Sequence, residues 1–276
     1  MTRRNRLVDA ACYAFLLIAA IVTLMPFVWM VSSSLMPRHE IFAPGFRLFP
    51  SNPTVVNYAE ALREAPLLRF LLNGVIVTVS ILLLQLLTIL PAGYAFARLH
   101  FRGRVVLFAL VLAALGVPGY VRAIPNFLLL SRFDLLNTYA ALIVPFIGSA
   151  FGIFLMRQFF RQLPSDVLDA ARLDGCGTGQ LIWHILVPLT RPAVAAFAVF
   201  SIVAHWNDFF WPLVVIRTSR LLTPPAGIAF FANADGGENW GVVMAAGVVV
   251  ITPLLLMFLI ARRHFIASLA QGATKG

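Results

Sequence analysis

Six stretches of this chain, residues 10–36, 70–97, 105–124, 136–157, 192–215 and 240–261, are long, apolar and almost free of charge. A helix needs about 20 apolar residues to cross a hydrocarbon layer about 30 Å thick. The third stretch is slightly short, which helix extension or local thinning of the bilayer accommodates. No water inside a bilayer satisfies peptide groups, so a crossing segment is a helix or part of a closed barrel. The period-two alternation of a membrane barrel is absent. The pattern therefore predicts an all-α polytopic membrane protein with six transmembrane helices. Charged residues make up 12% of the 276, where a soluble domain carries about a quarter. We expect a single membrane domain over residues 1–276, whose longest cytoplasmic segment is 158–191.

Basic residues orient the chain. With the amino terminus inside, thirteen of the 21 Lys and Arg fall on the cytoplasmic side and eight outside, the bias expected of positive charge in short loops. The tight clusters are Arg3, Arg4 and Arg6, then Arg98, Arg102 and Arg104, then Arg262 and Arg263. Both termini are thus expected in the cytoplasm. Arginines placed at membrane boundaries leave no face for nucleic acid, despite a net charge of +10. The first stretch resembles a signal peptide, but its apolar run far exceeds the roughly 7–15 residues of a signal core, so it is expected to stay as a span. Cys12 and Cys176 occupy the first span and the inner segment, where no disulfide is expected.

Enzyme chemistry finds little support. The one lysine, Lys275, excludes a phosphate loop of the Gly-x-x-x-x-Gly-Lys-Ser/Thr type. His39, His100, His184, His205 and His264 lie in different segments and form no His-x-x-x-His pair. No catalytic residue, metal ligand or cofactor is nominated. An ion-coupled carrier would need coupling ionisable groups near mid-membrane, and only Asp208 comes close. That carrier and a membrane scaffold are the rival readings.

Between the fourth and fifth spans lies SDVLDAARLDGCGTG, residues 165–179. After Pro164, Ser165 or Asp166 can cap a helix, with Asp169 giving a capping-box-like pair. Gly175 is a natural left-handed terminator. Thr178 can cap a second helix that Pro188 ends. Two short helices around a glycine turn would form a compact knob whose small residues let another surface come close. An ordinary solvated loop and a helix-turn-helix are the other readings of this stretch.

DAARLDGCGTGQLIWHILVPLTRP resembles the EAA loop of permease subunits in binding-protein-dependent ABC importers. That loop reads Glu-Ala-Ala, three residues, Gly, and later Ile-x-Leu-Pro. The matching positions are Asp169-Ala170-Ala171, Gly175, and Ile185-x-Val187-Pro188. YAFARLHFRGR (94–104), LLNTYAALIVP (135–145), WNDFFWP (206–212) and LAQGATKG (269–276) are similar to the carbohydrate type. Asp169 stands for the usual glutamate and Val187 for the usual leucine. The resemblance implies a type I importer permease fold in a bacterial or archaeal inner membrane. It also implies the partners: a second permease subunit, an ABC ATPase dimer that binds the ATP, and an extracytoplasmic solute-binding protein. Asp169, Ala170, Ala171, Arg172, Asp174 and Gly175 are then the ATPase-coupling residues, and the Gly272–Gly276 tail extends toward the ATPase dimer. The implied solute is a sugar, oligosaccharide, polyol or glycerol phosphate.

Polar residues within apolar stretches are candidates for function. Asn73, Gln85, Asn207 and Asp208 are nominated for the substrate path or a partner contact. Asp208 falls sixteen residues after Pro192, about 24 Å along a helix and so near the outer boundary. A structural acid bonded to its neighbours is the alternative there. Hydrogen bonding between helices is the alternative for Asn73 and Gln85.

Overall fold

A computed structural model describes residues 3–41, 43, 47–64, 66–234 and 239–273. Lys275, the end of the Gly272–Gly276 tail, residues 42 and 44–46 and residues 235–238 lie outside the described residues. Every regular element among those described is helical. Three helical stretches are long and apolar enough to cross a membrane: Val8–Ser34, Leu67–Arg98 and Trp240–Ile260. Three further helix pairs reach that length only as bent pairs.

Two compact units emerge. The first comprises residues 1–68 and 228–253. Its α1 (Arg3–Ser34) is largely apolar from Ala10 onward and exposed along most of that stretch. Short α2 (Arg38–Ile41) follows, then the amphipathic α3 (Val56–Glu64). Asn57 of α3 donates through Nδ2 to the carbonyls of Ser34 and Met36, both at 2.8 Å. These bonds satisfy carbonyls left open where α1 ends. Ser34 Oγ lies 2.7 Å from the Tyr58 hydroxyl.

The second unit comprises residues 69–227 and 254–276. It holds nearly all of α4 (Leu67–Arg98), then α5 (Arg104–Leu115), α6 (Ala123–Arg132), α7 (Tyr139–Ile143) and α8 (Ala150–Gln162). Next come α9 (Ser165–Leu173), α10 (Thr178–Gln180), α11 (Val187–Leu189), α12 (Arg191–Trp206) and α13 (Phe210–Val215). A π-helical turn, Leu181–Leu186, joins α10 to α11. α14 (Pro224–Ala234) and α15 (Trp240–Ala273) complete the chain. Each boundary between the units falls inside a helix, α4, α14 or α15, rather than in a linker.

The stretches 105–124, 136–157 and 192–215 are not straight helices. α5 stops at Leu115, and a 3-10 turn, Gly119–Arg122, leads into α6 at 104° to it. Pro118 lacks the amide a helix needs and disfavours helical backbone at the residue before it. α7 passes through the 3-10 turn Val144–Phe146, which contains Pro145, and bends by 43° into α8. α12 ends at Trp206, and α13 restarts at Phe210 so that Pro212 falls in its first turn, where a missing amide costs nothing. Pro188 does not end its helix, contrary to the sequence reading. The π-helical turn before it is wider than an α-turn and relieves the clash of the proline ring, and the helix continues to Leu189.

α4 and α8 cross closely at Gly93, where an added Cβ would lie 2.7 Å from Met156 Cβ and 3.2 Å from the Arg157 amide nitrogen. Gly93→Ala should therefore lower stability in detergent by about 1–3 kcal/mol. Gly179→Ala in α10, with open space around the added carbon, should be neutral or slightly stabilising. Thermal unfolding of the two variants checks the order.

Candidate functional site

The knob between α8 and α12 is built on one apolar cluster. Leu168 and Ala171 of α9 are 3% and 5% exposed. They join Tyr94 of α4, Met156 and Phe160 of α8, Leu186 of the π turn and Phe197 of α12 in a single core. The other side of α9 is open: Asp169 and Ala170 are exposed, and Leu173 is 89% exposed. Leu173 thus leaves most of its apolar surface uncovered by this chain. The alanine pair is therefore split, with Ala171 facing the core and Ala170 facing out.

A pair of backbone bonds ends α9. Gly175 N–H donates to Arg172 O and Cys176 N–H to Ala171 O, both at 3.0 Å. Gly175 takes the left-handed φ of +82° that this termination requires. Caps differ from the sequence expectation. Pro164 precedes the first helical residue, Ser165, and no side chain caps α9. Gly177 holds that position before α10, where Gln180 Oε1 accepts its amide at 3.1 Å. Both proline and glycine tolerate the required backbone, which the Ser and Thr then follow at the first turn.

Arginines tie the knob to α4. Arg98 donates through Nε (3.0 Å) and NH2 (2.7 Å) to Phe160 O, and NH2 also reaches Leu163 O. Arg172 donates to the Tyr94 hydroxyl at 3.2 Å and pairs with Asp169 at 3.3 Å. Its bond to Tyr94, followed by the nearby Asp169 charge, raises its pKa above the ordinary arginine value. Asp174 is exposed beside the turn.

A second feature of the same unit is a cavity of about 350 Å³. Its walls come from the helix breaks: Tyr120 and Arg122 of the 3-10 turn, Asn126 of α6, Phe146, and Asn207–Trp211 between α12 and α13. Tyr120 and Phe210 meet edge to face, with centroids 4.9 Å apart. Asp208 Oδ1 accepts the Trp211 amide of the first turn of α13 at 3.2 Å, and Trp211 Nε1 donates to Ala141 O at 2.9 Å.

Behind this wall, Gln85 Nε2 donates to Phe146 O at 2.9 Å and lies 3.3 Å from His205 Nε2. Its Oε1 accepts the Ser201 hydroxyl at 2.6 Å. Asn73 is fully buried and donates to Arg220 O and Leu222 O, both at 2.9 Å, while accepting the Tyr139 hydroxyl. Of the four polar candidates, Asn207 and Asp208 line the cavity, and Asn73 and Gln85 hold backbone elsewhere. Tyr120, Arg122, Asn126 and His205 escaped the sequence reading. Polar residues beside proline and glycine breakers inside apolar stretches were the available signal.

Broken helices around a cavity lined in part by Arg122, Asn126, Asn207 and Asp208, in one unit with an exposed knob, are features of a membrane transport component. The family described as "Binding-protein-dependent transport system inner membrane component" matches residues 89–271, and the chain belongs to that family. It is 35% identical to the arabinooligosaccharides transport system permease protein AraQ of Halalkalibacterium halodurans, over 93% of each chain. It is 33% identical to the diacetylchitobiose uptake system permease protein NgcG of Streptomyces coelicolor, over 97% of this chain and 89% of that one. The fold matches a chain of a bacterial ABC transporter involved in import of the acidic polysaccharide alginate. That match has a TM-score of 0.85 at 23% identity and covers 96% of this chain and 99% of the other.

An added Cβ at Gly175 meets no atom within 4 Å, so only its left-handed backbone restricts substitution. Gly175→Ala should destabilise the knob by about 1 kcal/mol, and Gly175→Asn by less. The rate of proteolysis within residues 165–180 measures both.

Proposed function

We propose that this chain is a permease subunit of an ATP-driven importer for a sugar or sugar-like solute, and that it supplies half of the translocation path. The observation that carries the reading is the build of α9: one face locked into the core, the other presenting Asp169, Ala170 and Leu173 outward. Force applied to that outer face passes as rigid-body motion through Tyr94, Phe160 and Phe197 into α4, α8 and α12, since packed cores do not deform continuously. In this reading the whole chain acts as one permease domain with six spans, three of them broken. Both termini and segment 158–191 face the cytoplasm.

The partners are a similar permease, two copies of an ATPase and an extracytoplasmic solute-binding protein. The ATPase binds the nucleotide. This chain holds no cofactor or metal and performs no covalent chemistry. Asp169, Ala170, Arg172, Leu173, Asp174 and the Gly175 turn form or shape the ATPase contact, with Ala171 anchoring it from inside. A carbohydrate solute is supported by the relatives named for arabinooligosaccharides and diacetylchitobiose.

Ala170→Arg and Leu173→Asp change only the exposed face. In the reconstituted complex each should cut ATP-dependent uptake about tenfold or more, as loss of an interface hot spot does, while unfolding temperature stays at the wild-type value. Wild-type uptake in both variants rules out docking at this face. Uptake that survives loss of ATP but collapses with the ion gradient replaces the importer by a carrier.

A further inference from the structure

The cavity is lined beside three helix interruptions, by residues 119–126 after the first, by Pro145 and Phe146 before the second and by Asn207–Trp211 at the third. Irregular backbone at membrane depth is tolerated where protein buries it or where it lines a water-filled cavity. Interrupted helices are also where transport proteins gather their solute contacts. A volume of about 350 Å³ falls within the range of small-ligand pockets, about 300–1,000 Å³. From these features, and resting on the importer reading above, we infer that the cavity is a solute subsite that takes one unit of an uncharged glycan and excludes sugar phosphates and acidic sugars.

Charge placement decides the class. Arg122 and Asp208 share the cavity wall, yet no ion pair joins them. The Trp211 and Phe210 amides both bond the Asp208 carboxylate, which with about four acceptor positions keeps room for a hydroxyl donor. Asn126, Asn207 and Arg122 supply donors for hydroxyl oxygens. Tyr120 and Phe210, 71% and 40% exposed, offer apolar ring surface to the C–H face of a sugar ring. A phosphate or uronate site favours an excess of cationic donors in bidentate geometry. Here the single arginine is offset by a carboxylate on the same wall, which repels an anion at close range and strengthens a bond from a neutral hydroxyl.

The test uses the full complex of this chain with its partner permease, ATPase and binding protein, held in nanodiscs. Cys12 and Cys176 are replaced by serine, and Ala204→Cys puts a reporter thiol on the cavity wall without removing a proposed contact. Maleimide labelling is followed with arabinotriose, maltotriose, N,N′-diacetylchitobiose, glycerol 3-phosphate or an alginate disaccharide. At least one neutral glycan should slow labelling about tenfold, and the two anions should leave it unchanged. Asp208→Asn should raise the glycan concentration needed for protection by about tenfold, the loss of one bond to a charged group. Protection by either anion, or by none of the five solutes, overturns the subsite. ATP-dependent uptake by the same complex is read separately: normal uptake with failed protection sinks the subsite alone, whereas absent uptake sinks the importer reading.

Discussion

Inside a bilayer, every carbonyl freed by a break in a helix must find its partner within the protein, and α4 supplies such partners at four levels. Asn73 bonds Arg220 O and Leu222 O, Gln85 bonds Phe146 O, Thr88 bonds Ile147 O at 2.8 Å, and Arg98 bonds Phe160 O. Two of these carbonyls, of Phe146 and Ile147, belong to the bend between α7 and α8. Without Gln85 and Thr88 they would be orphaned in an apolar surround, at a cost of about 1–3 kcal/mol each. The bend between α7 and α8 is tolerated because this one unbroken helix carries Gln85 and Thr88 at its depth.

The same arrangement links the cavity to the knob. Gln85 and Tyr94 stand on one helix, the first holding Phe146 at the cavity wall and the second packed under Ala171 and bonded to Arg172. Ile89 and Leu90 between them belong to the core that seats α9. One continuous helix thus connects the core that seats the knob to a side chain that bonds the cavity wall.

Details of the knob show how local rules combine. A backbone position that demands a turn or cap is met by proline at 164, by left-handed glycine at 175 and by glycine at 177. Hydroxyl capping by Ser165 or Thr178 is then unnecessary. Pro188 is absorbed by the wider turn ahead of it, so the helix passes the proline and turns by 87° into α12 only at Thr190. Each departure keeps backbone groups satisfied while placing Leu168 and Ala171 inward.

Hydrophobic length and charge placement in the sequence by themselves determined a helical membrane protein, and Pro164 and Gly175 marked where the first helix of the knob starts and where it turns. These features are local: apolar run length sets burial in lipid, and a left-handed turn selects glycine whatever surrounds it. Only the tertiary structure decided that Asn73 and Gln85 hold distant carbonyls while Asn207 and Asp208 face a cavity. It alone turned Ala171 inward and Ala170 outward, and brought Tyr120, Arg122 and Asn126 beside Asp208. Those outcomes depend on which carbonyls the breaks expose and which helix stands opposite them, pairings between residues up to 149 positions apart that carry no local signature in the chain.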